Sequence, residues 1–317
     1  MDVRNLWCIQ PIVVDIQEKR ICEKLMNTCA ILVTYNRLEL LKESVQAILS
    51  QTKAVNHVII VNNNSTDGTK EFLAGIESNQ VIVHNSSKNV GGAGGFNLGL
   101  KLAYTKTDDD YFWLMDDDTV VDRFANQKFL IHCQELNNEF GFLCSNVRWK
   151  DDTPTNIPIP NKDWPELASR GLIKVDYGSF VSFFVNRKVV GQVGLPISDF
   201  FLWFDDNDYS LRLRKIYPAY FMTDVMVEHK STTSKVAVGL LTDTEDRIDR
   251  YFYFYRNLMY LWKVHFHKDY KKVLLKKFLK SFLIIFKAKD HRLKRQLTAF
   301  KGLYAAVKFN PKIEKFD

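Results

Sequence analysis

Acidic runs are the residues in this sequence best suited to chemistry. Asp116-Asp117-Asp118 follows the apolar run Phe112-Trp113-Leu114-Met115. Carboxylates fixed at a strand end can hold a hard divalent cation, which can then bridge diphosphate oxygens. Asp108-Asp109-Asp110 has the same composition but sits before that run, where a solvated acidic turn accounts for it. Asp205-Asp206-Asn207-Asp208 leads into Tyr209-Ser210-Leu211-Arg212-Leu213-Arg214-Lys215. Acids at the start and bases at the end of a helix complement its macrodipole, and Asp208 and Arg212 have the i,i+4 spacing of a helical ion pair. Capping and pairing do not need every acid there, and a tandem pair at a helix start can also supply a general base.

Asn89-Val90-Gly91-Gly92-Ala93-Gly94-Gly95 lacks both the G-x-G-x-x-G spacing and the P-loop Lys-Ser/Thr pair. Glycines between a strand and an apolar helix start let backbone N–H groups approach a bulky anion, although a flexible loop can have the same composition. His229 follows a strand and carries little meaning by itself. Trp203 suits stacking on a ring or packing in the core.

The elements that position these residues alternate between strands and helices. Ala30 to Thr34 is a short β-branched run, and Leu38, Leu41, Val45 and Ile48 follow at helical spacing. Strands are expected at Val58–Val61, Val81–His84 and Tyr111–Met115, with a helix from Phe96 to Lys106. Asp151 to Arg170 reads as a long loop, Tyr177–Val185 as strand-like, and Ala219–Val227 as a strand ending at Glu228-His229. This order predicts an α/β fold with a mainly parallel sheet flanked by helices. The polar clusters fall at carboxyl ends of strands, where open α/β sheets bind ligands. The expected division is an extension at 1–27, a catalytic domain at 28–250 and a basic helical region at 251–317.

Charge separates the last two parts. Residues 251–317 hold 17 Lys/Arg and 4 Asp/Glu, or +13, which leaves −6 for residues 1–250 in a chain of net +7. The basic region has only three arginines and no nucleic-acid motif, which argues against a nucleic-acid partner. From Leu274 to Phe286, Leu274, Leu275, Phe278, Leu279, Phe282, Ile285 and Phe286 share one helical face, with Lys276, Lys277 and Lys280 opposite. That pattern suits an anionic membrane surface; packing on its own domain or in a homo-oligomer would use the same face. Cys8, Cys22, Cys29, Cys133 and Cys144 form no CxxC pair and suggest no disulfide framework. With no signal-peptide pattern and no long apolar run, a cytoplasmic protein is expected, peripheral on the inner face of the plasma membrane.

From Cys29 to His229 the chain resembles family 2 glycosyltransferases of the GT-A fold. The resemblance rests on Val33-Thr34-Tyr35-Asn36-Arg37, Val58 to Gly68, the glycine segment, the second Asp triplet, Phe200 to Arg214 and Glu228-His229, in that order. It implies donor contacts at Thr34, Arg37, Asn62, Asn63, Asn89, Gly91, Gly92 and Asp117. Asn62 stands where the family usually has Asp, which leaves the base less defined. It also implies Mn²⁺ or Mg²⁺ on Asp116, Asp118 and His229, Asp206 as base with Asp205 beside it, and acceptor contacts at Trp203 and Asp208. The glycine segment ending in Phe96 resembles the galactofuranosyltransferase branch. That implies a UDP-sugar donor, UDP-galactofuranose, and a glycan or lipid-linked oligosaccharide acceptor in cell-surface polysaccharide synthesis. A dTDP-rhamnose transferase shares much of the pattern. A non-catalytic nucleotide-sugar binding protein would not need all the acids, and a glycoside hydrolase would not need a metal triplet beside a glycine segment.

Overall fold

The computed structural model describes residues 26–231 and 239–316, so the expected extension at 1–27 falls almost wholly outside the described residues, as do Cys8 and Cys22. Cys29, Cys133 and Cys144 are buried and unpaired.

The strands are β1 (Thr28–Thr34), β2 (His57–Asn62), β3 (Val81–Asn85), β4 (Tyr111–Asp116), β5 (Thr119–Val121), β6 (Leu143–Arg148), β7 (Leu172–Val175), β8 (Phe183–Asn186) and β9 (Ala219–His229). They form one sheet in the order β3-β2-β1-β4-β8-β6-β9-β5, with β7 also on β9. The β3-β2-β1-β4 block is parallel, as is β6 with β9, while β8, β5 and β7 join antiparallel. β1 is buried throughout and β2 nearly so, which is why both read as unbroken apolar runs: strands covered on both faces need no alternation.

Helices α1 (Leu38–Leu49), α2 (Thr69–Ala74), α3 (Gly91–Lys106), α4 (Ala125–Glu135), α5 (Arg187–Val193) and α6 (Asp205–Leu213) cover the sheet. Leu41, Val45 and Ile48 of α1 and Phe129 of α4 pack on one face; Phe96 and Leu100 of α3, Val189 of α5 and Tyr209 of α6 pack on the other. The helix expected from Phe96 begins five residues earlier, at Gly91, so the glycine segment is the first turns of α3 rather than a loop before it. The strand expected at Tyr177–Val185 shrinks to β8 at Phe183–Asn186.

Helices α7 (Tyr251–His265), α8 (Tyr270–Phe282), α9 (Ile284–Lys287) and α10 (Arg292–Lys308) follow. They do not form a detached tail. Asn257 and His265 of α7 bond to Phe200 and Asp208, Leu195 N–H donates to Glu314, and Phe316 stacks on Tyr104 of α3 at 3.7 Å between ring centroids. The basic region expected at 251–317 thus packs on the preceding part of the chain through these contacts.

Candidate active site

Strand β4 ends at Asp116, and a tight turn through Asp117 and Asp118 leads into β5. β5 pairs antiparallel with β9, setting Thr119 opposite His229. This register carries His229 to the triplet: its Nε2 lies 3.1 Å from Asp118 Oδ1. One potential ligand atom from each of Asp116, Asp118 and His229 falls within 4.8 Å of the others. Two carboxylates and one imidazole suit Mn²⁺ or Mg²⁺, so the residues fit the cation the sequence implied. The other His229 nitrogen, Nδ1, is 3.0 Å from Asn156 Oδ1. Asn156 can accept the Nδ1 proton, so a cation at Nε2 would take the place of the Nε2 proton that faces Asp118 in this structure.

Charge at this end is strongly perturbed. Burial, then the neighbouring Asp118, pushes the Asp116 carboxyl up to about 7. Burial also disfavours the Asp118 charge, but the His229 hydrogen bond, the His229 charge and Arg37 overcome it and hold Asp118 below the usual carboxylate range. Arg37 reaches Asp118 at 2.6 Å and Asp117 at 3.2 Å. Asp117 also accepts the Tyr35 N–H, so it ties the end of β1 to the triplet. Thr34 is buried at that strand end.

The other acids arrive on α6. The loop before it holds Phe201, Trp203 and Phe204 at φ of 62°, 66° and 68°, a left-handed conformation unfavourable for bulky residues. Asn257, fully buried on α7, holds the loop there. Its Nδ2 donates to the carbonyls of Phe200, Leu202 and Trp203 at 2.9, 2.9 and 3.0 Å. The loop delivers Asp205 and Asp206 to the start of α6. Burial and then Asp206 push the Asp205 carboxyl up to about 8; burial, with Asp116 as a further cause, pushes Asp206 up to about 7. Asp116, His229, Asp205 and Asp206 all line one cavity of about 570 Å³, together with Trp203 and Gly92. Tyr251 and Phe254 of α7 complete its wall, and Trp203 packs on both.

Asp208 corrects the expectation of an acceptor contact. It is fully buried, with Arg212 Nε 2.8 Å from one oxygen and His265 Nε2 2.9 Å from the other. Both partners are themselves buried, so the group locks α6 to α7 and does not face an acceptor.

The asparagines at the strand ends serve one another. Asn62 donates to Asn85 and accepts the Ser65 N–H. Asn63 donates to Asn89 and to the Gly91 carbonyl and accepts the Val90 N–H, which joins the end of β2 to the start of α3. The glycines divide the labour. Gly91 has φ +75°, and a Cβ there would lie 2.0 Å from the Phe201 carbonyl oxygen. Gly95 and Gly99 would strike Val33 and Ile31 at 2.3 and 2.5 Å, so they let α3 approach β1 closely. Gly92 has open space and borders the cavity. Sequence reading missed Asn156 and Asn257, since neither stands in a recognisable pattern; an asparagine inside the apolar repeat of α7 was the one available signal for Asn257.

The family model for glycosyl transferase family 2 matches residues 29–192. The galactofuranosyltransferase GlfT1 of Mycolicibacterium smegmatis is 39% identical over 90 residues, covering 28% of this chain and 29% of its own length. GlfT1 of Mycobacterium tuberculosis is 30% identical over 135 residues, covering 41% and 42%. A poly-beta-1,6-N-acetyl-D-glucosamine synthase of Staphylococcus aureus is 31% identical over 153 residues, covering 48% and 35%. The matched stretch is thus less than half the length of each of these relatives. Among solved structures, S. aureus TarS aligns over 90% of this chain and 44% of its own with a TM-score of 0.53 at 12% identity. GalNAc-T7 with UDP, GalNAc and Mn²⁺ aligns over 87% and 54% with a TM-score of 0.62 at 12% identity. Both share the α/β architecture described above, the GT-A fold.

Proposed function

Since this chain belongs to glycosyl transferase family 2, we propose that it moves a sugar from a nucleotide-sugar donor to a carbohydrate acceptor with inversion at the anomeric carbon. The observation that carries this reading is the shared cavity: Asp116 and His229 on one wall, Asp205 and Asp206 on the other, with the first turn of α3 at Gly92 beside them. A divalent cation, Mn²⁺ or Mg²⁺, bound by Asp116, Asp118 and His229 would offset the charge growing on the departing diphosphate. Gly92 leaves backbone room at the positive end of α3 for the same anion. Thr34, Arg37, Asp117 and the amide network of Asn62, Asn63 and Asn89 shape the nucleotide side.

Asp206, as the carboxylate, takes the proton of the acceptor hydroxyl while that oxygen attacks the anomeric carbon and the bond to the diphosphate breaks. Asp205, protonated more readily, carries less negative charge beside it. Trp203 at the cavity wall offers a flat face to the acceptor.

For the donor we propose UDP-galactofuranose, supported by the glycine segment ending in Phe96 and by the similarity to galactofuranosyltransferases. A glycan or lipid-linked acceptor in polysaccharide synthesis follows from the same reading. The test is to incubate the protein with Mn²⁺, a synthetic glycan acceptor and a panel of nucleotide sugars, and to measure the nucleoside diphosphate released. UDP release from UDP-galactofuranose is expected. Release confined to dTDP-rhamnose would replace the donor assignment, and no release from any donor, with nucleotide still bound, would leave a binding protein.

A further inference from the structure

Helices α8, α9 and α10 present an apolar surface with no part in the cavity. One side of α10 packs against α7, with Gly302 so close to the Phe252 carbonyl oxygen that a Cβ would lie 2.6 Å from it. On the opposite side Leu293, Leu297, Tyr304 and Val307 fall within one stripe at 100° per residue, and all are exposed, Tyr304 by 71%. On α8 and through α9, Leu275, Leu279, Leu283 and Phe286 are exposed as well, Phe286 by 78%. Phe278 and Phe282 of α8 join the two groups by packing on Phe300 of α10, with ring centroids 5.0 and 4.8 Å apart. The face read from the sequence is thus half of a platform, and α10 supplies the rest.

The same helices are rich in basic residues. Between Tyr270 and Lys308 there are twelve Lys/Arg and one acid, Asp290; Arg295 is buried and pairs with Asp290, and Lys294 pairs with Asp249 at 3.5 Å. Burial, then Lys280 and Lys276, holds Lys277 below the usual ammonium range, so the lysines repel one another as they stand. Among the described residues no helix is long and apolar enough to cross a membrane. A second copy joined through the same face by a twofold axis would set lysines against lysines. A surface that offers phosphates beside an apolar interior satisfies both features together.

We propose that this platform seats the protein on an anionic lipid bilayer, with Leu279, Phe286 and Tyr304 entering the boundary between headgroups and acyl chains and lysines of the same helices at lipid phosphates. The inference does not depend on the sugar-transfer reading, and its assay needs no substrate. The full chain is sedimented with phosphatidylglycerol vesicles and, separately, with phosphatidylcholine vesicles. Binding to the first and not the second is expected, weakening as salt rises. Neutralising exposed lysines should lower the partition coefficient about fivefold each, so Lys276→Gln with Lys280→Gln should lower it about 25-fold. Phe286→Ser and Leu279→Ser should each lower it about tenfold. All four side chains are exposed, so the thermal melts of these variants should match that of the native chain. Equal partition to both vesicle types, none to either, or lysine variants that bind like the native chain would overturn the proposal. So would light scattering that shows a dimer which Phe286→Ser with Leu279→Ser converts to monomer, because the face would then be an interface between copies.

Discussion

Two aspartate triplets bracket strand β4, identical in composition and eight residues apart in register. The first, Asp108-Asp109-Asp110, enters the strand from the amino end of the sheet. There Asp109 is buried and pairs with His57 Nδ1 at 2.7 Å, Asp110 accepts the Asn27 N–H, and Asp108 is exposed. The second leaves the strand at the carboxyl end, where Arg37, His229 and the acids of α6 converge on it. The solvated turn expected for the first triplet holds for Asp108, but Asp109 and Asp110 are structural. Like residues thus divide by which end of a parallel strand they occupy. At the amino end Asp109 and Asp110 are each matched by a partner that fixes the fold. At the carboxyl end the acids crowd one another, and the site keeps charge that the fold alone does not need.

The largest expected effect breaks the second triplet. Asp116→Ala should lower transfer by about 10³-fold or more, because the leaving diphosphate loses a ligand to its counter-charge. Its melting temperature should stay level or rise, since the ionised Asp116 is disfavoured by burial and by Asp118 in the folded chain. Chelation should mimic the loss of transfer; full turnover in excess chelator would remove the metal from the reading. Asp206→Asn comes next, with a loss of about 10²-fold or more in turnover and donor affinity close to native. With its carboxyl raised to about 7, Asp206 is an effective base only once deprotonated, so turnover should climb as pH rises through the neutral range. Near-native turnover in Asp206→Asn would move the base to Asp205, whereas a flat profile there would exclude both raised carboxyls as the titrating base.

Asp208→Asn tests the same contrast within α6. It breaks a buried pair with Arg212 and a hydrogen bond from His265, and should cost about 3 kcal/mol of stability in a denaturant melt. A loss of a few tenths, the value for an exposed helical pair, would show that the buried lock is not what holds α6 to α7. Asp109→Ala should cost about 1–2 kcal/mol and leave the specific activity of the folded protein unchanged. Together with Asp116→Ala it forms a double dissociation, stability at one end of β4 and activity at the other; if both variants lost activity alone, the comparison would fail. Asp108→Asn should change stability by less than about 0.5 kcal/mol and leave activity intact.

Much of the parallel block was legible because interior strands and amphipathic helices leave periodic apolar traces. Val58–Val61, Tyr111–Met115 and the Leu41, Val45, Ile48 spacing map onto β2, β4 and α1. Three-residue β5 and four-residue β7 leave no such trace, and Ser179 to Ser182 turns within a stretch that reads as strand. At the site, the acids were visible as motifs, but the purpose of the glycines was divided in a way the motif hides. Gly95 and Gly99 serve the packing of α3 on β1, while Gly92 opens on the cavity.

The sequence by itself determined which chemical groups are available and which sheet end they reach, because a strand's apolar run and the polar residues at its end are neighbours in the chain. Tertiary structure decided which of those groups meet. Asp118 and His229 are brought together by the pairing of β5 with β9, and the Phe200–Phe204 loop is held by an asparagine more than fifty residues later. It also took Asp208 out of the cavity, since its partners Arg212 and His265 lie on two different helices. Such contacts depend on register and on helix packing across the sheet, and neither leaves a local periodicity from which it could be read.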